Sequence, residues 1–265
     1  MKDNAVLKLL KERATVRRYK DEQVPKDVIE TIAWAGQRAP FATQMYSVVV
    51  SQSPDKKDAL RSLFGPLGAA PIFFLICSDL HKIETMVGIE GPKAEVDDLN
   101  LMYWALQDAA YVAQNMVVAA ESLGLGTCYL GGAPWRTQAL TELFQLPDRV
   151  FPLVGLVMGY PDEAPPPRPR LPLWAMLHWE EYRTPDADGI HDALAAMDAG
   201  LKREGYYKKY KARIESEDEQ EKASVRYGWG THIARKHKNV GAFASLRRQL
   251  AAKRINIMGE QDEGT

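Results

Sequence analysis

The sequence predicts a mixed fold in which helices and strands alternate through one core, followed by a polar, largely helical extension. Three features predict this. Short β-branched and aromatic runs alternate with stretches whose apolar residues recur every three or four positions. A long stretch from Asp98 is apolar on several sides, as expected of a buried helix. The proline-dense PDEAPPPRPRLPLW then separates this core from residues of very different composition.

Each element follows from its own pattern. Asn4 to Glu12 set Val6, Leu7, Leu9 and Leu10 among lysines, giving a short amphipathic helix that leads into the positively charged RATVRRY, a loop or strand. Pro25 opens a second helical pattern through Val28, Ile29, Ile32, Ala33 and Ala35, which Pro40 cuts off for want of an amide hydrogen. Tyr46 to Ser51 (YSVVVS) is a buried strand, and Pro71 to Ile76 is another, closing at Ser78 and Asp79. From Asp98, Leu99, Met102, Leu106, Ala109, Ala113, Met116 and Ala120 trace a helix that Gly124 and Gly126 end. Its alanines permit close approach, so it belongs at the centre of the fold or against a second subunit. A strand (TCYLGG), a helix from Thr137 to Phe144 stopped before Pro147, and the strand FPLVGLVMGY complete the core. Beyond Pro185 come a basic run (KREGYYKKYKAR), an acidic run (ESEDEQE) and a last helical pattern with Phe243, Leu246 and Leu250. So polar a tail buries little by itself and should wrap the core or a partner.

Composition narrows the function. The 265 residues, 46% hydrophobic, suffice for one sizeable core. A formal net charge of −1 gives no field toward nucleic acid or anionic lipid, so the expected partners are small molecules or a second copy of the chain. The basic run with Tyr206, Tyr207 and Tyr210 looks like a nucleic-acid patch, but the acidic run after it favours a solvated helix face. Cys77 and Cys128 lie in apolar contexts without metal or disulfide spacing and read as reduced core residues. The N-terminus is charged throughout and no stretch is long enough to span a bilayer, so a cytoplasmic protein without membrane partners is expected.

Three clusters carry possible chemistry. Arg13, Thr15, Arg17 and Arg18 place guanidinium forks and a hydroxyl within one turn of chain, which suits an anionic ligand or simply a solvated basic face. Arg168 and Arg170 sit in RPRLP, where prolines restrict the backbone, as in a preformed anion site or an ordinary charged loop. GLGTCYLGG lets a ligand approach the backbone, though it follows a helix and opens a strand, the reverse of a dinucleotide fingerprint. For Gly124 and Gly126 the reading is a helix cap and turn. The histidines never pair at a metal-ligand spacing, and no serine or cysteine has the setting of a nucleophile. Any chemistry therefore falls to a cofactor, with no metal expected.

In this order the clusters resemble the FMN-dependent nitroreductase family. RATVRRYKDEQVP is similar to its opening RRSIRRFKDEPVP, and APFATQMYS stands where the family has a version of APSGTNMQPW. AQNMVVAAESLGLGTCYLGG and FPLVGLVMGYP look like its second half. RPRLP, with His178 and Tyr182 downstream, resembles the long-chain branch that includes oxygen-insensitive NADPH nitroreductases and flavin reductase P. The likeness runs from about Leu7 to Tyr182, more loosely around RYGWGTHI. It implies an α+β sandwich, a mostly antiparallel sheet flanked by helices, in an intertwined homodimer with two FMN sites at the interface. Residues 1–182 would form the FMN-binding core and 183–265 a helical extension.

The resemblance also implies roles. Arg13, Arg168 and Arg170 would hold the FMN phosphate, Thr15 the phosphate or ribityl chain, and Arg17 would face the pyrimidine edge, where a cation stabilises reduced flavin. Ala14, Pro40, Phe41, Ala42 and Gln44 would line the cofactor. Amides of Leu130, Gly131 and Gly132 would approach N5, with Tyr129 beside them. Lys222 and Arg226 would help bind NADPH. Electrons would pass from NADPH or NADH to nitroaromatics, quinones or free flavin in a ping-pong cycle without a catalytic side chain. Ala14, Phe41 and Gln44 depart from the family's arginine, serine and asparagine, and a flavin-contacting glutamine between Phe64 and Pro71 has no counterpart. Relatives that cleave carbon–halogen bonds or consume flavin, and a non-catalytic flavin-binding or interaction protein, are the alternative readings.

Overall fold

The computed structural model describes residues 4–91, 97–205, 228–237 and 240–257. By compactness the chain forms two units, Met1–Pro165 with Gly241–Thr265, and Pro166–Val240, a division drawn at other positions than the expected 182/183 boundary.

The first unit is built on four antiparallel strands, β1 (Tyr46–Ser51), β2 (Ile72–Asp79), β3 (Gly126–Leu130) and β4 (Val150–Gly159), in the order β1-β2-β4-β3. One of its two interior strands, β2, is buried throughout because both faces are covered. Ile72, Phe74 and Ile76 pack with residues of α2 (Lys26–Gln37) and α5 (Asp98–Ser122). Phe73, Leu75 and Cys77 point the other way, into a cluster with Leu60 of α3 (Pro54–Phe64) and Leu140 of α6 (Thr137–Phe144). Beyond β3 the chain at Thr15 adds a parallel bridge to Thr127.

Local chemistry explains the ends of these elements. Asn4 caps α1 (Ala5–Glu12), its side chain accepting from the Val6 and Leu7 amides. Asp97 accepts from the Leu99 amide at the start of α5, and Gly124, at φ +82°, turns the chain after it. Gly36 of α2 lies so close to Met116 of α5 that an added Cβ would stand 2.6 Å from its Cγ, so these helices meet where one has no side chain.

Three expectations need correction. The helix from Asp98 is not buried all round: Met102, Ala105, Ala109 and Ala113 face the core, while Tyr103, Trp104, Leu106 and Tyr111 are exposed. Gly126 is not part of a helix cap but opens β3, where an added Cβ would stand 2.7 Å from that of Val16. Helices α3 and α4 (Leu80–Glu90) have no place in the sequence-based scheme, and each buries only one residue, Leu60 and Leu80 respectively. Their apolar period was too weak to read.

The extension buries more than its composition suggests. In the second unit, α7 (Ala187–Arg203) buries Ala193, Met197, Gly200 and Leu201. Asp198 accepts a hydrogen bond from the Trp229 amide at the start of α8 (Trp229–His237), and His232 is buried there. The last helix, α9 (Val240–Ala251), and the residues after it bring Leu250 and Ile255 into a core cluster with Met45 and Phe151. Arg149 secures this return: its guanidinium binds Glu84 and Asp98 and donates to the Arg254 carbonyl, and its amide donates to the Lys253 carbonyl. Among the described residues no helix is long and apolar enough to cross a membrane.

Candidate functional site

The segment from Arg13 to Arg18 lies along β3 and is held there by its backbone. The Val16 amide donates to the Thr127 carbonyl at 3.0 Å, and Glu163 accepts from the amides of Arg17 (2.6 Å) and Arg18 (3.2 Å). Arg18 also pairs with Glu163, which gives that side chain a structural partner. The Arg17 side chain has no hydrogen-bond or ion-pair partner among the described residues and its residue is exposed. The fixed backbone thus presents a cation to solvent.

Arg13 is nearly buried, its side chain 17% exposed, and forms a two-pronged pair with Glu121 of α5: Nε to Oε2 and Nη2 to Oε1, both 3.1 Å. The Thr127 hydroxyl donates to the same Oε1 at 2.7 Å. Nη1 of Arg13 has no partner among the described residues. Tyr129 stands close by and donates to Gln114 at 3.4 Å. Burial pushes its phenol up to about 12, with the Arg13 charge acting against that and Glu121 with it, so Tyr129 is neutral at ordinary pH. Burial likewise raises the Cys128 thiol, and the opposing Arg17 charge does not offset it, which leaves a protonated, unreactive sulfur.

The turn after β3 offers bare backbone. A Cβ built on Gly131 meets nothing within 4 Å, so a flat ligand can lie against the chain there. At Gly132 the added atom would strike Nη1 of Arg136, 2.4 Å away. Arg136 donates from Nη1 to the Gly132 carbonyl at 2.9 Å and from Nε to the Leu63 carbonyl at the end of α3, and its guanidinium lies over Phe64. This arginine ties the turn to the end of α3.

Pro40, Phe41, Ala42 and Gln44 form an exposed loop pinned from beneath by Asp108. That fully buried carboxylate accepts from the amides of Ala42 (2.6 Å), Thr43 (3.2 Å) and Met45 (3.0 Å). Three amide donors compensate a charge that would otherwise be prohibitive in the interior. Gln44 adopts a left-handed backbone at φ 58°, a conformation that asparagine tolerates better, which gives a physical reason for the family's asparagine here. Phe41 is 56% exposed and stands free to meet a ligand.

Arg168 and Arg170 belong to the second unit. Arg168 pairs with Glu204 at 3.6 Å, and Arg170 folds back to donate to the Arg168 and Pro169 carbonyls at 2.9 and 3.1 Å. Lys222 and Arg226 lie outside the described residues.

Sequence reasoning missed Glu121, Asp108, Glu163 and Arg136. The first two had a legible signal: each is a carboxylate among apolar residues on a helix read as buried, and a buried acid there needs donors. Glu163 and Arg136 carried no such mark.

Comparison with known proteins identifies the family. A model of the nitroreductase family matches residues 10–71 and 64–160. A Cr(VI) reductase from Pseudomonas sp. (strain G-1) is 36% identical over 187 residues, 68% of this chain and 76% of that protein. An FMN reductase (NADPH) from Bacillus subtilis is 33% identical over 196 residues, 71% of this chain and 78% of its own. The solved structure of the hypothetical oxidoreductase YcnD from Bacillus subtilis superposes with a TM-score of 0.81 at 28% identity, covering 96% of this chain and 99% of that one. The family model spanning residues 10–160, together with relatives 36% and 33% identical over more than two thirds of the chain, establishes that the chain belongs to the nitroreductase family.

Proposed function

We propose that this protein is an FMN-dependent oxidoreductase passing electrons from NADPH or NADH to small electron-poor acceptors such as nitroaromatics, quinones or free flavin. The observation that carries the reading is the grouping around β3: Arg13 with a spare donor edge, the uncovered backbone at Gly131, and the Arg17 cation, all on one rigid frame. A phosphate-bearing tricyclic ring matches that set: an anion for Arg13 and a flat face for the turn. The relative named as an FMN reductase (NADPH) supports both cofactor and donor.

When bound, FMN would supply two-electron redox chemistry between the nicotinamide and the acceptor. The residues of the chain bind and tune. Arg13 and Thr15 would hold the phosphate end, and Arg168 and Arg170 are further candidates for an anion. Arg17, its backbone held by Glu163 and its side chain free, would offer positive charge to the flavin, favouring the reduced form. Leu130, Gly131 and Gly132 offer backbone to the ring, while Tyr129, neutral and aromatic, borders it. Pro40, Phe41, Ala42 and Gln44 shape the pocket wall, and Phe41, larger than the family's serine, narrows the choice of acceptor. Ala14 contributes backbone alone. Lys222 and Arg226 are our candidates for the phosphate of NADPH.

The exposed stripe Tyr103, Trp104, Leu106 and Tyr111 on α5 supports a homodimer in which a second copy covers it, and we place the enzyme in the cytoplasm. The test is an anaerobic titration. Protein loaded with FMN should bleach on adding NADPH or NADH under nitrogen and recover its colour with a nitroaromatic or quinone, with parallel double-reciprocal plots. A protein that takes up no FMN, or holds FMN that neither donor bleaches, would overturn the reading.

A further inference from the structure

Glu121 occupies an unfavourable place. It lies in the last turn of α5, where the helix already presents partial negative charge, and its side chain is only 10% exposed. Three donors hold it there: Nε and Nη2 of Arg13 and the Thr127 hydroxyl. A buried pair of this kind adds little stability over an apolar substitute. Helix α1, which Arg13 follows, buries no residue of its own and gives the pair little core to secure.

What the pair does achieve is direction. A guanidinium is a planar fork with donors on three edges. Glu121 takes the edge formed by Nε and Nη2, so Nη1, together with the outer hydrogen of Nη2, is left to face away from α5. Thr127 fixes the carboxylate in turn, and its carbonyl also holds the Val16 amide, so one residue of β3 sets both the carboxylate and the loop that carries Arg13. Without this frame a long arginine side chain would sample many rotamers, and ordering it on a ligand would weaken binding.

We propose that Glu121, oriented by Thr127, is a positioning residue for phosphate recognition: it holds Arg13 so that the free Nη1 edge meets the phosphate of the flavin. The proposal rests on the FMN reading above. It predicts an effect selective for ligands that carry the phosphate, which a merely structural role would not produce.

The full chain, stripped of flavin, is titrated with FMN and separately with riboflavin, which lacks the phosphate, and quenching of flavin fluorescence gives both affinities. Wild type should prefer FMN. Glu121→Gln should weaken FMN binding by roughly tenfold or more while riboflavin changes by less than about twofold. Thr127→Val, a near-isosteric change, should shift the preference the same way by less, and it decides the matter if Glu121→Gln fails to fold. An FMN-to-riboflavin preference that is unchanged or raised in the folded variants overturns the positioning role and leaves the FMN reading standing. A wild-type protein that binds neither flavin, or both alike, removes the phosphate site itself and the proposal with it.

Discussion

Arg13 and Arg149 are equally buried, at 17% and 19% side-chain exposure, and each meets carboxylates in paired fashion, yet they end in opposite states. Every guanidinium nitrogen of Arg149 is engaged: Nε with Glu84, Nη2 with Glu84 and Asp98, and Nη1 with Asp98 and the Arg254 carbonyl. Arg13 meets one carboxylate and keeps Nη1 in reserve. An arginine whose donors are all consumed by the protein is a fastener. One held firmly with an edge to spare keeps donors that a ligand or water can take, and burial alone does not tell the two apart.

Crossed substitutions give the largest effects and break the comparison most directly. Arg149→Met strands two carboxylates and frees the return of the chain after α9, so it should destabilise the fold by about 3–5 kcal/mol, seen as a lower thermal midpoint. Flavin affinity of the molecules that remain folded should not change. Arg13→Met strands only Glu121, which keeps Thr127, and should lower the midpoint less while weakening FMN binding more. Equal losses of stability and of flavin affinity in both variants would erase the distinction.

A smaller effect sharpens the Arg149 side. Burial pushes the Asp98 carboxyl up, but hydrogen bonds from Arg149 and the Asn256 amide, with the Arg149 charge, outweigh it and hold it below the usual carboxylate range. A depressed folded value means that this stabilisation is complete above the unfolded value, about pH 4, and is lost as pH falls through the folded one. Thermal melts between neutral and acid pH should therefore show Asp98→Asn less stable at neutrality and flatter on the acid limb. Parallel curves for variant and wild type would mean that Asp98 contributes nothing to acid sensitivity.

The smallest effect lies in the loop that Asp108 holds. Gln44→Asn places a residue better suited to φ 58° in the loop over Asp108 and should raise stability by up to about 1 kcal/mol in chemical denaturation. A decrease would show that the glutamine side chain makes a contact worth more than the backbone relief.

Much of the fold was legible because its signals are local. YSVVVS became β1 with the boundaries expected, though as an edge strand with no buried residue and not the buried strand its pattern predicts; Thr137 to Phe144 became α6, and the long pattern from Asp98 became α5. Pattern failed where burial was thin: α3 and α4 each bury one side chain, and no period stands out from so little. It also overstated α5, since an apolar residue reads alike whether it faces the core, as Met102 does, or solvent, as Tyr103 does.

The sequence by itself determined the alternation of elements and the clustering of arginines from Arg13 to Arg18, because each is written in neighbouring residues. Only the tertiary structure decided that Glu121, 108 positions from Arg13, would claim one edge of its guanidinium, and that Asp108 would hold the loop at Ala42 from beneath. Partners that far apart are chosen by packing: a buried charge must find its donors wherever the folded chain brings them, and no local pattern records where that is.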